Sequence, residues 1–222
     1  IHRPENAGAI RDLIVEKDGE KIAIVNVCEH EYSYALENRC GCRAFDPFDT
    51  MEDIRKAKET ADRVIVLYHG GKEQCEYPSP RLRKACRAMV RAGADLVLTQ
   101  HSHCIGCYEK YMDGHILYGQ GNLHFICKEF ENPEDNGYMW NTGLLVMLDL
   151  DDDIKIEFIP TVSEGKGIRL AREDEKDRLI SELYERSASI DVGLHLICVR
   201  NIQPKDIYSI GNILVYLSTF LS

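Results

Sequence analysis

The sequence predicts an α/β fold, and three observations support this prediction. Up to about residue 126, apolar runs of strand length alternate with segments of helical periodicity. Two of these runs, residues 63–69 and 94–100, flank an amphipathic helix and form one βαβ unit with parallel strands. The 222 residues are 44% hydrophobic and 29% charged, which suffices for one well-buried core.

The first elements are a hairpin and a helix. Residues 13–28 are predicted to turn at Asp18 and Gly19, because Asp-Gly adopts the positive φ angles of a tight turn. The helix is predicted to begin at Thr50, which with Asp53 resembles a capping box. One face of this helix carries Ile54, Ala57 and Ala61.

The second helix has the clearest pattern in the chain. Ser79 can cap it, Pro80 occupies its first turn, and Gly93 ends it. Its apolar side consists of Leu82, Ala85, Cys86, Met89 and Val90. Its other side carries five basic residues, Arg81, Arg83, Lys84, Arg87 and Arg91. We interpret this stripe as a solvated helix face rather than an anion site, because the opposite side is the buried one.

Histidines follow two neighbouring strands. His69 and His101 each close a strand of the βαβ unit, so both belong at the edge where open α/β sheets bind ligands. His103 points the same way as His101 if extended geometry continues through it. A third strand, residues 115–122, brings Asn122 to the same edge if it is also parallel.

The later part of the chain contains another hairpin and a helix. Residues 143–160 are predicted to turn at residues 151–153, with Ile154, Ile156 and Phe158 facing a core. A charged amphipathic helix follows over residues 173–187. We therefore divide the chain into a domain over residues 1–163 and a mainly helical extension over residues 164–222.

Composition limits the functional classes. The formal net charge of −10 repels nucleic acid, and the longest late apolar run, residues 213–221, falls short of the roughly 20 residues of a membrane helix. The nine cysteines are an odd number and lie in or beside predicted strands as often as in loops, which favours reduced thiols and a reducing, cytoplasmic compartment. The first residue is Ile1, so we expect the chain to be part of a longer product.

Three histidines at one sheet edge favour a metal site, since imidazole binds zinc, iron and manganese. The alternative is that His69 is a hydrogen-bonded core residue and His101 and His103 form a polar turn. No Gly-x-Ser-x-Gly motif points to a nucleophilic serine. Glu73, four residues after His69, is either a catalytic or ligand-supporting carboxylate or a surface residue.

Further candidates lie near this edge. Glu29, His30 and Glu31 follow the second strand, and they are either substrate or supporting residues or a solvated loop. His30 is also a candidate catalytic residue. Cys104 and Cys107 form a Cys-x-x-Cys pair, which could be half of a structural zinc site or a redox pair. The other potential zinc ligands are Cys40 and Cys42. Four other cysteines are interpreted as core fillers, Cys28, Cys86, Cys127 and Cys198.

Three segments, DRVIVLYHGGKE, GADLVLTQHSHCIGCYEKY and ILYGQGNLHF, resemble the CapA family of poly-gamma-glutamate capsule biosynthesis proteins, within the calcineurin-like metallophosphoesterase superfamily. The resemblance spans residues 17–160. Gly70 replaces a family Trp, Ser102 a Pro and Gln120 a Leu.

The resemblance implies an α/β/β/α sandwich with a two-metal centre of Mn, Fe or Zn, in which His69, His101 and His103 match ligand positions. The superfamily's first Asp ligands and its Asn-His motif have no match here. Either the amino-terminal part of the fold lies outside this chain, or another chain supplies these ligands, or the site is incomplete. We favour the first alternative, because an uncovered sheet edge would be costly.

The activity implied is metal-dependent hydrolysis of a phosphoester or polyglutamate, with Arg39 and Arg43 helping to bind an acidic polymer and Asn122 as a further substrate contact. The alternative is a non-catalytic polymer-binding or assembly subunit. Other capsule-synthesis subunits are the implied partners, and the resemblance offers the cell envelope as the alternative compartment.

The helix between the two histidine-bearing strands gives the first test. Met89→Asp should abolish cooperative folding, because an unpaired buried charge costs several kcal/mol against a typical stability of about 5–15 kcal/mol. Circular dichroism during urea denaturation measures this. A soluble variant that unfolds cooperatively would refute the βαβ assignment.

Overall fold

A computed structural model of the chain describes residues 13–29, 34–36, 41–125, 140–149 and 154–191. The strands are β1 Leu13–Lys17, β2 Glu20–Cys28, β3 Arg63–His69, β4 Leu96–Gln100, β5 Ile105–Tyr111, β6 Gly114–Gln120, β7 Thr142–Asp149, β8 Lys155–Glu164 and β9 Gly167–Leu170. The helices are α1 Pro47–Thr60, α2 Pro80–Ala92 and α3 Glu173–Ala188.

The strands form two sheets. Six lie in the order β1-β2-β3-β4-β6-β5, and three lie in the order β7-β8-β9. Strands β2, β3, β4 and β6 are parallel, while β1 and β5 pair antiparallel at the two edges. The structure confirms the predicted first hairpin, the βαβ unit, the parallel third strand and the antiparallel pairing of β7 with β8. The predicted turn at residues 151–153 lies outside the described residues.

Helix α1 begins earlier than the sequence predicted. Its cap is Asp46, whose carboxylate accepts hydrogen bonds from the backbone N–H groups of Phe48 at 2.8 Å and Asp49 at 3.0 Å. The predicted start at Thr50 is wrong, since Thr50 is buried inside the helix. Pro47 at the first helical position explains the earlier start, because its fixed φ suits a first turn.

Helix α2 has the predicted ends. The Ser79 hydroxyl accepts a hydrogen bond from Leu82 N–H at 3.2 Å, and Gly93 ends the helix at φ 121°. That left-handed region favours glycine. Met89 is fully buried between the helix and the sheet.

Two apolar cores lie on opposite faces of the six-stranded sheet. Helices α1 and α2 cover one face, where Val97 packs with Ile54 and Met89. The neighbouring β4 residues Leu96 and Leu98 point to the other face. There they meet side chains from the three-stranded sheet and α3, namely Leu144, Phe158, Leu179 and Leu183. The chain is therefore an α/β sandwich, as predicted, and the domain division at residue 163 stays a prediction.

The basic stripe of α2 is not a solvated face throughout. Arg83 is only 8% exposed, and its guanidinium donates to Glu109 at 2.9 Å. Arg87 also donates to Glu109, at 3.1 Å from its Nε. Glu109 lies in β5, a strand that was not predicted from the sequence. The partner of these arginines was therefore not predicted either. Arg81, Lys84 and Arg91 are exposed, as expected.

Glu109 is held in its ionised form. Burial opposes ionisation, but hydrogen bonds from Arg87, Arg83 and Tyr118 outweigh it and lower the pKa of Glu109 to about 2. The Tyr118 hydroxyl donates at 2.8 Å. This carboxylate therefore ties α2 to β5 and β6 at the sheet's far edge.

Glu109→Gln should lower the free energy of unfolding by about 3 kcal/mol at neutral pH, because the buried Arg83 then keeps only the exposed Asp191 as a counter-charge. The folded-state pKa lies below the ordinary 4.5, so the ion pair stabilises the fold above about pH 4.5 and loses its effect as the pH falls towards 2. Urea denaturation at several pH values measures both. Glu157→Gln, an exposed strand carboxylate, is the matched control. Equal losses in the two variants would contradict the assignment.

Candidate metal centre

The three predicted histidines meet at one edge of the six-stranded sheet. His69 is the last residue of β3 and pairs in register with Gln100, the last residue of β4. His101 follows directly, and its ring centroid lies 5.0 Å from that of His69. The His101 and His103 rings are 5.9 Å apart. Parallel pairing thus brings together residues that are far apart in sequence.

The backbone of this turn is not extended. His101 has φ 86° and His103 has φ 56°, so the expectation that strand geometry continues through them is wrong. The chain must reverse here between β4 and β5, and left-handed residues make the reversal. Such conformations are strained for side chains other than glycine and cluster at functional sites. The Ser102 carbonyl stabilises the turn by accepting from Gln74 N–H at 2.7 Å.

Glu73 joins two of the histidines in a group of potential metal ligands. One carboxylate oxygen of Glu73 and one ring nitrogen each of His101 and His103 lie within 4.8 Å of one another. Glu73 Oε1 is 3.8 Å from His101 Nε2. The sequence predicts Glu73 as a catalytic or supporting carboxylate or a surface residue, and in the structure Glu73 lies among the potential ligands.

This donor set fits a transition-metal ion. Metal–ligand bonds of about 2.1 Å separate neighbouring donors by roughly 3–4 Å, so the three groups need to close only slightly. The Glu73 side chain is 61% exposed and can supply that adjustment. Two imidazoles and a carboxylate suit zinc, manganese or iron. Among the residues described, these three form the one such group.

Asn122 orients His103. The Asn122 amide Nδ2 donates to the Trp140 carbonyl at 2.9 Å, which leaves its Oδ1 facing His103 Nδ1 at 2.8 Å. An amide oxygen can only accept, so His103 Nδ1 carries the proton and Nε2 keeps its lone pair. Metal-binding histidines are commonly oriented in this way. The buried Asn122 side chain therefore bonds other residues of the protein. Its role as a substrate contact stays a prediction.

Two aromatic residues that the sequence analysis missed form a wall behind His103. Trp140 stacks on the His103 ring at 4.6 Å between centroids, and Phe125 meets it edge-on at 5.3 Å. Trp140 is the only tryptophan of the chain, and this was the one feature of the sequence that could have pointed to its role. These contacts restrict the imidazole to one orientation.

A close backbone approach places Trp140 beside Asn122. Asn122 N–H donates to the Thr142 carbonyl at 2.9 Å, and Gly121 bridges to Gly143 across the two sheets. A Cβ on Gly143 would lie 2.4 Å from the Asn122 carbonyl oxygen. Glycine is therefore required at 143, because any side chain would separate the sheets at the site.

Glu29 lies at the predicted edge. Its N–H donates to the His69 carbonyl at 2.7 Å, and its carboxylate pairs with Arg81 at 3.1 Å. The Tyr68 hydroxyl also bonds Glu29. Burial raises the pKa of Tyr68, and the Glu29 carboxylate raises it further. A Cβ at Gly70 would lie 2.7 Å from that of Glu29. The family Trp at this position would therefore require Glu29 to move.

Some of the other candidates lie within the described residues and some lie outside them. The Arg43 guanidinium pairs with the buried Asp53 of α1, which directs it towards that helix. His30, Glu31, Arg39 and Cys40, together with Cys127 and Cys198, lie outside the described residues. The assignment of Cys86 to the core is confirmed.

Cys104 and Cys107 are fully buried rather than presented at the edge. Desolvation raises the pKa of each thiol to about 12. Both are therefore protonated at neutral pH, which is unfavourable for redox chemistry that needs a thiolate. The four-cysteine zinc alternative includes Cys40 and stays a prediction.

Among the described residues, none of the helices has the length and apolar character needed to cross a membrane.

Comparisons with known proteins agree on one family. The model of the bacterial capsule synthesis protein family PGA_cap matches residues 3–127. The capsule biosynthesis protein CapA of Bacillus anthracis is 30% identical over 128 residues, which cover 54% of this chain and 31% of that protein. The PGA biosynthesis protein CapA of Bacillus subtilis strain 168 is 37% identical over 91 residues, which cover 41% of this chain and 24% of that protein. The chain thus spans less than a third of either relative.

A solved structure, that of a hypothetical protein from Thermus thermophilus, aligns with a TM-score of 0.37 at 17% identity. The alignment covers 72% of this chain and 60% of that one.

The hydrogen bond to Asn122 predicts the tautomer of His103. NMR spectra of the imidazole nitrogens should show Nδ1 protonated and Nε2 unprotonated in the neutral ring, and Asn122→Ala should remove this preference. Gln120→Ala, two residues earlier, is the matched control and should leave the tautomer unchanged. A wild-type ring protonated at Nε2 would contradict the assignment.

Proposed function

Since this chain belongs to the bacterial capsule synthesis protein family PGA_cap, we propose that it is a CapA-like protein of poly-gamma-glutamate capsule biosynthesis that acts as a metal-dependent hydrolase or polymer-processing protein. Two relatives named for capsule or PGA biosynthesis support the process. The observation that carries the metal-dependent part is the convergence of Glu73, His101 and His103.

Each residue of the site has a proposed role. His101 and His103 bind the ion through ring nitrogens, and Glu73 supplies a carboxylate oxygen. Asn122 and Trp140 hold the His103 ring, and its unprotonated nitrogen would be available to bind the ion. His69 lies beside His101 and is the expected ligand of a second ion. Bound Mn, Fe or Zn ions would lower the pKa of a water molecule and stabilise charge on the attacked centre.

The site must also attract an acidic polymer or phosphoester. The formal charge of −10 repels such a substrate over most of the surface. Two exposed basic residues lie near the edge. Lys72 precedes Glu73 in the chain, and Arg81 pairs with Glu29. With bound cations, they would reverse the local sign of the field and make binding of an anion favourable.

A non-catalytic polymer-binding or assembly subunit is the second candidate. One observation favours it: within the described ranges, the potential ligands suffice for one ion rather than two. A protein of this kind would bind polymer without cleaving it.

Elemental analysis and metal titration of the complete protein test the proposal. We expect about two transition-metal ions per chain in the wild type, and His101→Ala and His103→Ala should each weaken metal affinity by more than about tenfold. Asn122→Ala, which retains every ligand, should weaken it by about 10–100-fold. Cleavage of a phosphodiester or of polyglutamate should fall in parallel.

The double variant Cys104→Ser/Cys107→Ser is the control and should retain its metal. Metal that persists in both histidine variants but disappears from the cysteine variant would refute the proposed ligands. Full metal with polymer binding and no cleavage would select the binding subunit.

A further inference from the structure

Two cysteine side chains meet beside the candidate metal centre. The Sγ atoms of Cys28, at the end of β2, and Cys42, in the segment that leads to α1, are 2.7 Å apart. A disulfide bond is about 2.05 Å long, so little movement separates these sulfurs from covalent distance. Neither the sequence pattern nor the proposed metal chemistry accounts for this pair.

The backbone fixes the two cysteines together. Cys28 N–H donates to the Arg43 carbonyl at 2.8 Å, and Phe45 N–H donates to the Cys28 carbonyl at 2.7 Å. Cys28 and Ala44 thereby form a parallel bridge. Arg43 is anchored in turn by Asp53 of α1. The backbone pairing therefore holds the two cysteine positions close together.

The distance favours a covalent bond over a shared metal ion. Two thiolates on a tetrahedral zinc ion, with Zn–S bonds of about 2.3 Å, lie roughly 3.8 Å apart. The observed 2.7 Å is well below that value. Within the described residues, neither cysteine belongs to a group of three potential metal ligands.

We propose that Cys28 and Cys42 are a redox-active pair that forms a reversible disulfide bond. The oxidant is another disulfide, carried by a small thiol or by a thiol–disulfide oxidoreductase. Cys42 is partly exposed and Cys28 is buried. The Cys42 thiolate attacks the incoming disulfide and releases one thiol. The Cys28 thiolate then displaces the second thiol from Cys42, so that two protein thiols and one disulfide yield one protein disulfide and two thiols.

The bond would act next to the candidate metal centre. Cys28 pairs in register with His69, and the following residue, Glu29, donates its N–H to the His69 carbonyl. Oxidation ties the chain before α1 to this end of β2 and closes a loop between positions 28 and 42. The result is a more rigid edge next to His69. The proposal is independent of the metal-dependent function.

Oxidation of the complete protein in mixtures of reduced and oxidised glutathione provides the test. Wild-type protein should lose two alkylatable thiols and the mass of two hydrogen atoms, and peptide mapping should join positions 28 and 42. Cys42→Ser should abolish this loss, whereas the matched variant Cys40→Ser should retain it. Oxidised wild type should melt roughly 5–10 °C above the reduced form, a difference that Cys42→Ser should remove.

Three results would overturn the proposal. The first is that both thiols remain alkylatable at every glutathione ratio. The second is a crosslink that requires Cys40 instead of Cys42. The third is protection from alkylation that a chelator reverses, with the added mass of an ion, which would identify a thiolate metal site. Because Cys42 is only partly buried, its serine variant should fold and keep the comparison interpretable.

Discussion

The parallel pairing of β3 with β4, and of β4 with β6, is the constraint on which the rest of the structure depends. Parallel strands end on the same edge, so His69, His101 and the turn after β6 are brought together whatever the intervening sequence does. The two flanking cores fix this register, because a slip of one residue would turn Leu96 and Leu98 away from one core and Val97 away from the other. The candidate site is thus rigid because the sheet is buried on both faces.

The second sheet adds precision to that edge. Gly121 and Gly143 allow the start of β7 to approach the end of β6. The Trp140 carbonyl then fixes the orientation of the Asn122 amide, and this amide fixes the orientation of the His103 ring. Each hydrogen bond fixes the orientation of the next group, so the protein's own contacts hold the His103 ring in one orientation for the proposed ion. Such preorganisation reduces the entropy lost on binding.

Charged side chains are paired around Glu109 but exposed to solvent at the candidate site. Away from the site, Arg83 and Arg87 neutralise Glu109, and Tyr118 adds a hydrogen bond to this partly buried carboxylate. At the site, Glu73 is exposed and the His101 side chain is 24% exposed, so the acceptor groups there face solvent. The first arrangement stabilises the fold, whereas the second leaves groups available to a cation. The Cys28–Cys42 pair lies beside the second arrangement, where a covalent tie would alter the site more than the core.

The sequence by itself determined the α/β class, the βαβ unit, both ends of α2 and the meeting of His69, His101 and His103. These follow from local periodicity, capping residues and the common edge of parallel strands. Only the tertiary structure decided that Glu73 joins His101 and His103, that Asn122 orients His103, and that Glu109 buries Arg83. It also decided the starting point of α1 and the existence of β5. The physical reason is that these features depend on side chains from separate elements meeting in space, and one-dimensional patterns record an element's buried face but not the partner that covers it.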